Sequence, residues 1–136
     1  MAATFFIATT KLSQCHIMYT LRMIPANPLI LKFLGFFENP NGYVMKYYSG
    51  TLDALISNAS IELTAVDAFR FSKDIARGLQ FIHSFDVVHF SIRPQSIFLD
   101  FIDTVGFQPV ICDFDVRKFN SKFFILMACF CSWQSQ

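Results

Sequence analysis

The chain has 136 residues and a mass of 15.6 kDa, room for one modest domain. Its 11 Lys and Arg against 10 Asp and Glu leave a formal charge of +1, which gives no electrostatic footprint for nucleic acid or an anionic membrane. Hydrophobic residues are 54% and charged ones 15%, which excludes intrinsic disorder; with 18 Phe, a body this small is expected to leave apolar surface for a protein partner.

Residues 1–26 are the least legible part, with no Gly, Asp or Glu. The opening MAATFFIATTKL lacks basic residues ahead of its short apolar patch, so no secretory signal is expected. Leu29–Phe37 (LILKFLGFF) and Tyr43–Tyr48 (YVMKYY) read as strands on either side of the turn cluster Glu38–Gly42, where Asn41-Gly42 signals a hairpin. After the break at Ser49-Gly50, Leu52, Leu55 and Ile56 suggest a short helix. The segment 64–83 is the clearest helix. Thr64 and Asp67 have capping-box spacing, and Ala68, Phe71, Ile75, Leu79 and Ile82 form the apolar face, which implies core packing. Two short strands follow, Ser96–Leu99 and Pro109–Cys112, each followed by an acid, Asp100 and Asp113.

The longest apolar run, Phe123–Cys131, is nine residues, against about 20 for a membrane-spanning helix, so no span is expected. The cysteines, Cys15, Cys112, Cys129 and Cys131, are too scattered for a disulfide framework, and a cytoplasmic location is expected. Cys129 and Cys131 read as thiols of an apolar tail, not as zinc ligands, and His16 and His83 as surface residues.

The stretch His89-Phe90-Ser91-Ile92-Arg93-Pro94-Gln95-Ser96, running into Ile97-Phe98-Leu99, resembles the catalytic loop of eukaryotic protein kinases, H-R-D-x-K-P-x-N followed by an apolar strand. Cys112-Asp113-Phe114-Asp115 resembles the D-F-G corner. Gly78–His83 resembles the helix ahead of the loop, and Asn27–Leu31 with Met45-Lys46-Tyr47-Tyr48 the fourth and fifth strands and the hinge. These motifs cover about residues 27–119 in family order.

The resemblance implies an α+β fold, with a reduced antiparallel small-lobe sheet, a hinge and the first part of a mainly helical large lobe. One incomplete domain is expected: 1–48 as small-lobe remnant and hinge strand, 49–119 as partial large lobe and 120–136 as apolar tail. The later large-lobe helices are not found after Phe119, so an exposed apolar side of helix 64–83 is expected, with Phe123–Cys131 as one candidate to cover part of it.

Position by position, the resemblance also implies losses. Phosphoryl transfer needs an acid to accept the substrate hydroxyl proton, and that position is Ser91, whose hydroxyl is no base at neutral pH. Phe90 replaces the preceding Arg. Ser96 replaces the metal-binding Asn and is at best a weak Mg²⁺ ligand, while Asp113 is the surviving metal-binding acid. Arg93 replaces the Lys and keeps a phosphate-facing charge; Asp115 replaces the Gly. His89 is expected to pack and hydrogen-bond. Met45 matches the gatekeeper, Lys46, Tyr47 and Tyr48 the hinge, and Phe98 the floor of the adenine pocket. The glycine-rich loop is not found, since the first glycine is Gly35, and Lys11 only faintly resembles the nucleotide lysine; no acid precedes Glu38 to pair with it. ATP and Mg²⁺ are the cofactors implied, held at most weakly. The favoured expectation is a kinase-like domain deficient in phosphoryl transfer, acting as an interaction module or a fragment. The alternatives are an active kinase completed by further segments and a nucleotide-binding switch without catalysis.

Overall fold

The computed structural model describes residues 5–9, 21–37, 42–104 and 106–114. Among the described residues, two three-stranded antiparallel sheets and the helices between their strands make an α+β architecture. The first sheet has the order β1 (Phe5–Thr9), β3 (Gly42–Lys46), β2 (Phe33–Phe37). Its β2–β3 pairing is the expected hairpin, with a register irregularity between Phe33 and Gly35. The turn residues 38–41 lie outside the described residues, as do Lys11, Cys15, His16 and everything from Asp115 onward.

Both strands are shorter than the sequence reading. β2 starts at Phe33 because Asn27 organises a turn: its side-chain oxygen accepts from Leu29 N–H at 2.9 Å, and its carbonyl from Ile30 N–H at 3.1 Å. Leu29 and Leu31 then bond to Ile111 of the last strand (2.8 and 2.9 Å), in an isolated parallel bridge centred on Ile30. β3 stops at Lys46 because the chain crosses to the second sheet, where Ser49 N–H reaches Leu99 carbonyl at 2.9 Å.

The second sheet has the order β4 (Gly50–Thr51), β5 (Ile97–Ile102), β6 (Gly106–Ile111). Pairing of β5 with β6 runs from Ile97↔Ile111 to Ile102↔Gly106, so this hairpin extends beyond the two short strands expected. The acid Asp100 reads as a strand end, yet it continues the ladder opposite Gln108. Gly106 closes the hairpin with φ +75°, a conformation that costs glycine little.

Between β4 and β5 lie α1 (Leu52–Ser57), capped by Thr51, and α2 (Ala65–His83). The capping box of α2 is formed: Thr64 Oγ1 accepts from Asp67 N–H at 3.1 Å, and Asp67 accepts from Thr64 N–H at 3.2 Å. Hydrogen bonds from the Thr64 side chain and backbone hold the Asp67 carboxyl below its ordinary range. Its stabilising contribution is therefore present above the pKa of the unfolded carboxylate and lost as pH falls through the folded value. Thr64→Ala is expected to lower stability by about 1 kcal/mol in chemical denaturation at neutral pH.

The inner face of α2 buries Phe71, Gly78 and Ile82, with Ile75 and Leu79 half-buried. At Gly78 the helix meets β6 so closely that a Cβ would stand 2.8 Å from Ile111 Cδ1 and 3.3 Å from Leu29 Cβ. Ala68 is exposed, against the expected stripe: the first turn of α2 projects past the small cluster of Leu55, Phe71 and Leu99. Val66 and Phe69, three residues apart, are 75% and 73% exposed. The main core joins both sheets through Ile30, Leu31, Met45, Ile82, Val87, Ile97, Val110, Ile111 and Cys112. Among the described residues no helix is long and apolar enough to cross a membrane.

Candidate functional site

The loop from Val87 to Ser96 is stitched to the residues that follow β6. His89, 1% exposed, is the anchor. Its Nδ1 accepts from Ser91 N–H at 3.2 Å, which leaves the proton on Nε2 to donate to the Cys112 carbonyl at 2.7 Å. Its ring also lies 4.5 Å from that of Phe114. His89 therefore packs and hydrogen-bonds between the loop and the segment after β6. Burial drives the Cys112 thiol well above its ordinary range, as befits a small hydrophobe.

Ser96 closes the other end of the loop. It is fully buried; its hydroxyl accepts from Arg93 N–H at 3.0 Å and turns its proton toward the carbonyls of Ser91 and Arg93, both at 2.9 Å. Its carbonyl receives Cys112 N–H at 3.0 Å. Two residues of these joined segments hold left-handed backbone conformations: Phe90 in the loop, φ 62°, and Asp113 after β6, φ 55°. Left-handed conformations cost non-glycine residues roughly 1–3 kcal/mol and gather at functional sites. Phe90 is 42% exposed, with Val88 at 42% and Ile92 at 44%.

These bonds bring Ser91, Arg93, Ser96 and Asp113 into one corner. Arg93 Nη2 donates to Asp113 Oδ2 at 3.1 Å, a pair of residues whose side chains are 58% and 46% exposed. From Val87 to Leu99 the chain holds no carboxylate; among the described residues Asp113 faces the Arg93 guanidinium, and Asp53 of α1 accepts from Gln95 Nε2 at 2.7 Å. Among the described residues no three His, Cys, Asp or Glu side chains converge to hold a metal ion.

The residues expected to form a hinge divide. Met45 and Tyr48 are buried in the main core, and Phe98 packs against them, its ring 5.7 Å from that of Tyr48. Tyr48 Oη accepts from Lys32 N–H at 2.9 Å, and burial pushes the phenol pKa up to about 12. Its side chain thereby ties the segment after β3 to the residues ahead of β2. Tyr47 is 51% exposed, and Lys46 forms an ion pair with Asp100 on β5. That pair links residues 54 apart in sequence, and no local signal announces it. A cleft of about 800 Å³ lies beside this ion pair, lined by Arg22, Ile24, Lys32, Tyr48, Phe101 and Asp103 among others, but by none of Ser91, Arg93 and Asp113.

Comparison with known proteins bears on the family and the fold. The family model described as protein tyrosine and serine/threonine kinase matches residues 8–122, reaching further toward the N-terminus than the motifs do. The chain is 31% identical over 106 residues to a probable serine/threonine-protein kinase, gdt4, of Dictyostelium discoideum, covering 71% of this chain and 6% of that protein. It is also 31% identical over 109 residues to MAP kinase-interacting serine/threonine-protein kinase 1 of Xenopus laevis, covering 75% and 25%. Among solved structures, the yeast RNA Pol II CTD kinase CTDK-1 complex superimposes with a TM-score of 0.69 at 16% identity, over 86% of this chain and 40% of that one. The Rad53 kinase domain superimposes at 0.66 and 24% identity, over 81% and 41%. The chain therefore spans a minor part of each relative's length. With a family model matched along most of its length and a loop-and-corner geometry to go with it, this chain belongs to the protein tyrosine and serine/threonine kinase family.

Proposed function

We propose that this kinase-family domain does not transfer phosphate and acts instead through binding. One observation carries the reading: the loop is assembled around Ser91, whose N–H and carbonyl are both engaged in it, yet residue 91 offers a hydroxyl where the family offers a carboxylate. General-base assistance contributes roughly 10²–10⁴-fold to such a step, and a serine that keeps its proton supplies none of it. Phe90, in place of the family's Arg, adds an apolar side chain where the family has a cation.

ATP and Mg²⁺ are what kinases use, and this donor set fits ATP better than the metal. Asp113 already faces Arg93, Asp53 is taken up by Gln95, and the Ser96 hydroxyl is buried and committed to the loop. A nucleotide-binding role without transfer is the second reading; the exposed guanidinium of Arg93 and the cluster of Met45, Tyr48 and Phe98 favour it. A protein partner on the large-lobe side is supported by Val66 and Phe69, which present two large apolar side chains on one helix face. The free, buried Cys112 suits a reducing compartment, and we place the domain in the cytoplasm.

Label transfer from γ-labelled ATP to a generic protein substrate tests the reading. The expected result is no incorporation above an enzyme-free control, in Mg²⁺ or Mn²⁺. Incorporation that Asp113→Ala abolishes would overturn it in favour of an active kinase.

A further inference from the structure

Arg93 and Asp113 are the charged pair of the corner, and their surroundings decide what cation sits there. Magnesium demands near-octahedral oxygen coordination, usually one or two carboxylates with phosphates and water. Here the Asp113 carboxylate already receives a guanidinium N–H at 3.1 Å. A metal arriving at the same oxygen would meet that fixed positive charge. The other oxygen assigned to the metal, Ser96 Oγ, is fully buried. Turning it outward would leave Arg93 N–H and the carbonyls of Ser91 and Arg93 without the bonds it makes to them. The residues present do not fit a divalent cation.

They do fit an anion. The Arg93 side chain is 58% exposed, so part of its five-donor fork faces solvent while Asp113 holds one edge. A guanidinium presented in this way matches phosphate oxygens in geometry and charge. Arg93 also precedes Pro94 and the short 3₁₀ turn, with its own N–H and carbonyl bonded to Ser96, so the base of the side chain is fixed.

We propose that Arg93 is the resident cation of this site, paired at rest with Asp113, and that it binds the polyphosphate chain of a nucleoside triphosphate free of metal. The proposal rests on the reading of the site as non-transferring. Mg²⁺ then opposes binding, because it neutralises the phosphates that Arg93 would engage. Asp113 competes with the ligand for the guanidinium, and its own charge repels the phosphates, so removing that charge tightens binding.

The test is a thermal-shift titration of the full chain with ATP, and separately with inorganic tripolyphosphate, in EDTA and in excess Mg²⁺. The expected result is a rise in melting temperature in EDTA at least as large as that in Mg²⁺. A rise with both ligands assigns the contact to the phosphates; a rise with ATP alone adds the base. Arg93→Gln should weaken the half-saturating concentration by roughly tenfold or more, the loss of one charge-assisted contact. Asp113→Asn should bind more tightly than the parent. Both side chains are exposed, and far-UV circular dichroism confirms that each variant is folded. A shift seen only with Mg²⁺, a shift abolished by Asp113→Asn, or no shift in any arm would overturn the proposal. Mg²⁺-dependent binding without label transfer would overturn it alone, whereas label transfer would overturn the non-transferring reading.

Discussion

Replacing His89 with alanine is expected to destabilise the domain by about 3 kcal/mol, read as the shift in a urea denaturation curve at unchanged slope. The cost arises on both sides of the ring. The Cys112 carbonyl loses a 2.7 Å bond and the Ser91 N–H a 3.2 Å one, and a buried group left unpaired costs roughly 1–3 kcal/mol. The contact with Phe114 at 4.5 Å goes too. His89→Phe separates these contributions, since an aromatic ring restores packing but neither bond. It should recover only the smaller part of the deficit. An equally stable His89→Ala would mean that the loop is not anchored at this residue.

The second large effect belongs to Ile82. It is fully buried between α2 and the second sheet, in one cluster with Val87, Ile97, Val110 and Ile111. Ile82→Ala removes apolar volume at a point where Gly78, one turn earlier, already brings the helix against Ile111. With so little room to collapse, the loss is expected near the middle of the roughly 2–5 kcal/mol range for such truncations. Ordinary domains have stabilities of about 5–15 kcal/mol, so either variant would remove a large fraction of the total. Val66→Ala, on the exposed side of α2, is the matched control and should change stability little.

What the sequence made legible was local. The capping box of Thr64 and Asp67 lies within one turn, and its residue types admit few other structures. The β2–β3 hairpin and the run from His89 to Leu99 were legible for the same reason: short spacings, turn chemistry and an apolar strand. Pairings between distant residues were not. Nothing near Lys46 announces Asp100, and nothing near Ile30 announces the bridge to Ile111, because each depends on how the two sheets meet. That bridge and the Asn27 turn explain why the strand read from Leu29 begins at Phe33. Ala68 was placed in the core by periodicity, which cannot tell where along a helix the underlying sheet ends.

At the site, Arg93 and Asp113 were each legible as surviving charges, but their 3.1 Å pairing was not. Twenty residues separate them, and the contact exists because His89 and Ser96 bind Cys112 and draw the two segments together. Ser96 shows the converse. By residue type it is an oxygen donor for a metal, whereas its burial and its bonds to the loop backbone support a structural role. A serine suffices to hold the loop; the family's chemistry asks more of the position.

The absence of a proton acceptor at Ser91 is the point on which the functional account turns, and it is best tested where no protein substrate has to be guessed. Phosphorus NMR of ATP and Mg²⁺ with a stoichiometric amount of the full chain, followed over hours, reports transfer to any hydroxyl, to the chain itself or to water. The account predicts ATP resonances that decay no faster than in buffer, with no phosphoprotein signal. Formation of phosphoprotein or inorganic phosphate at a rate proportional to the chain's concentration, and lost in Asp113→Ala, would contradict it.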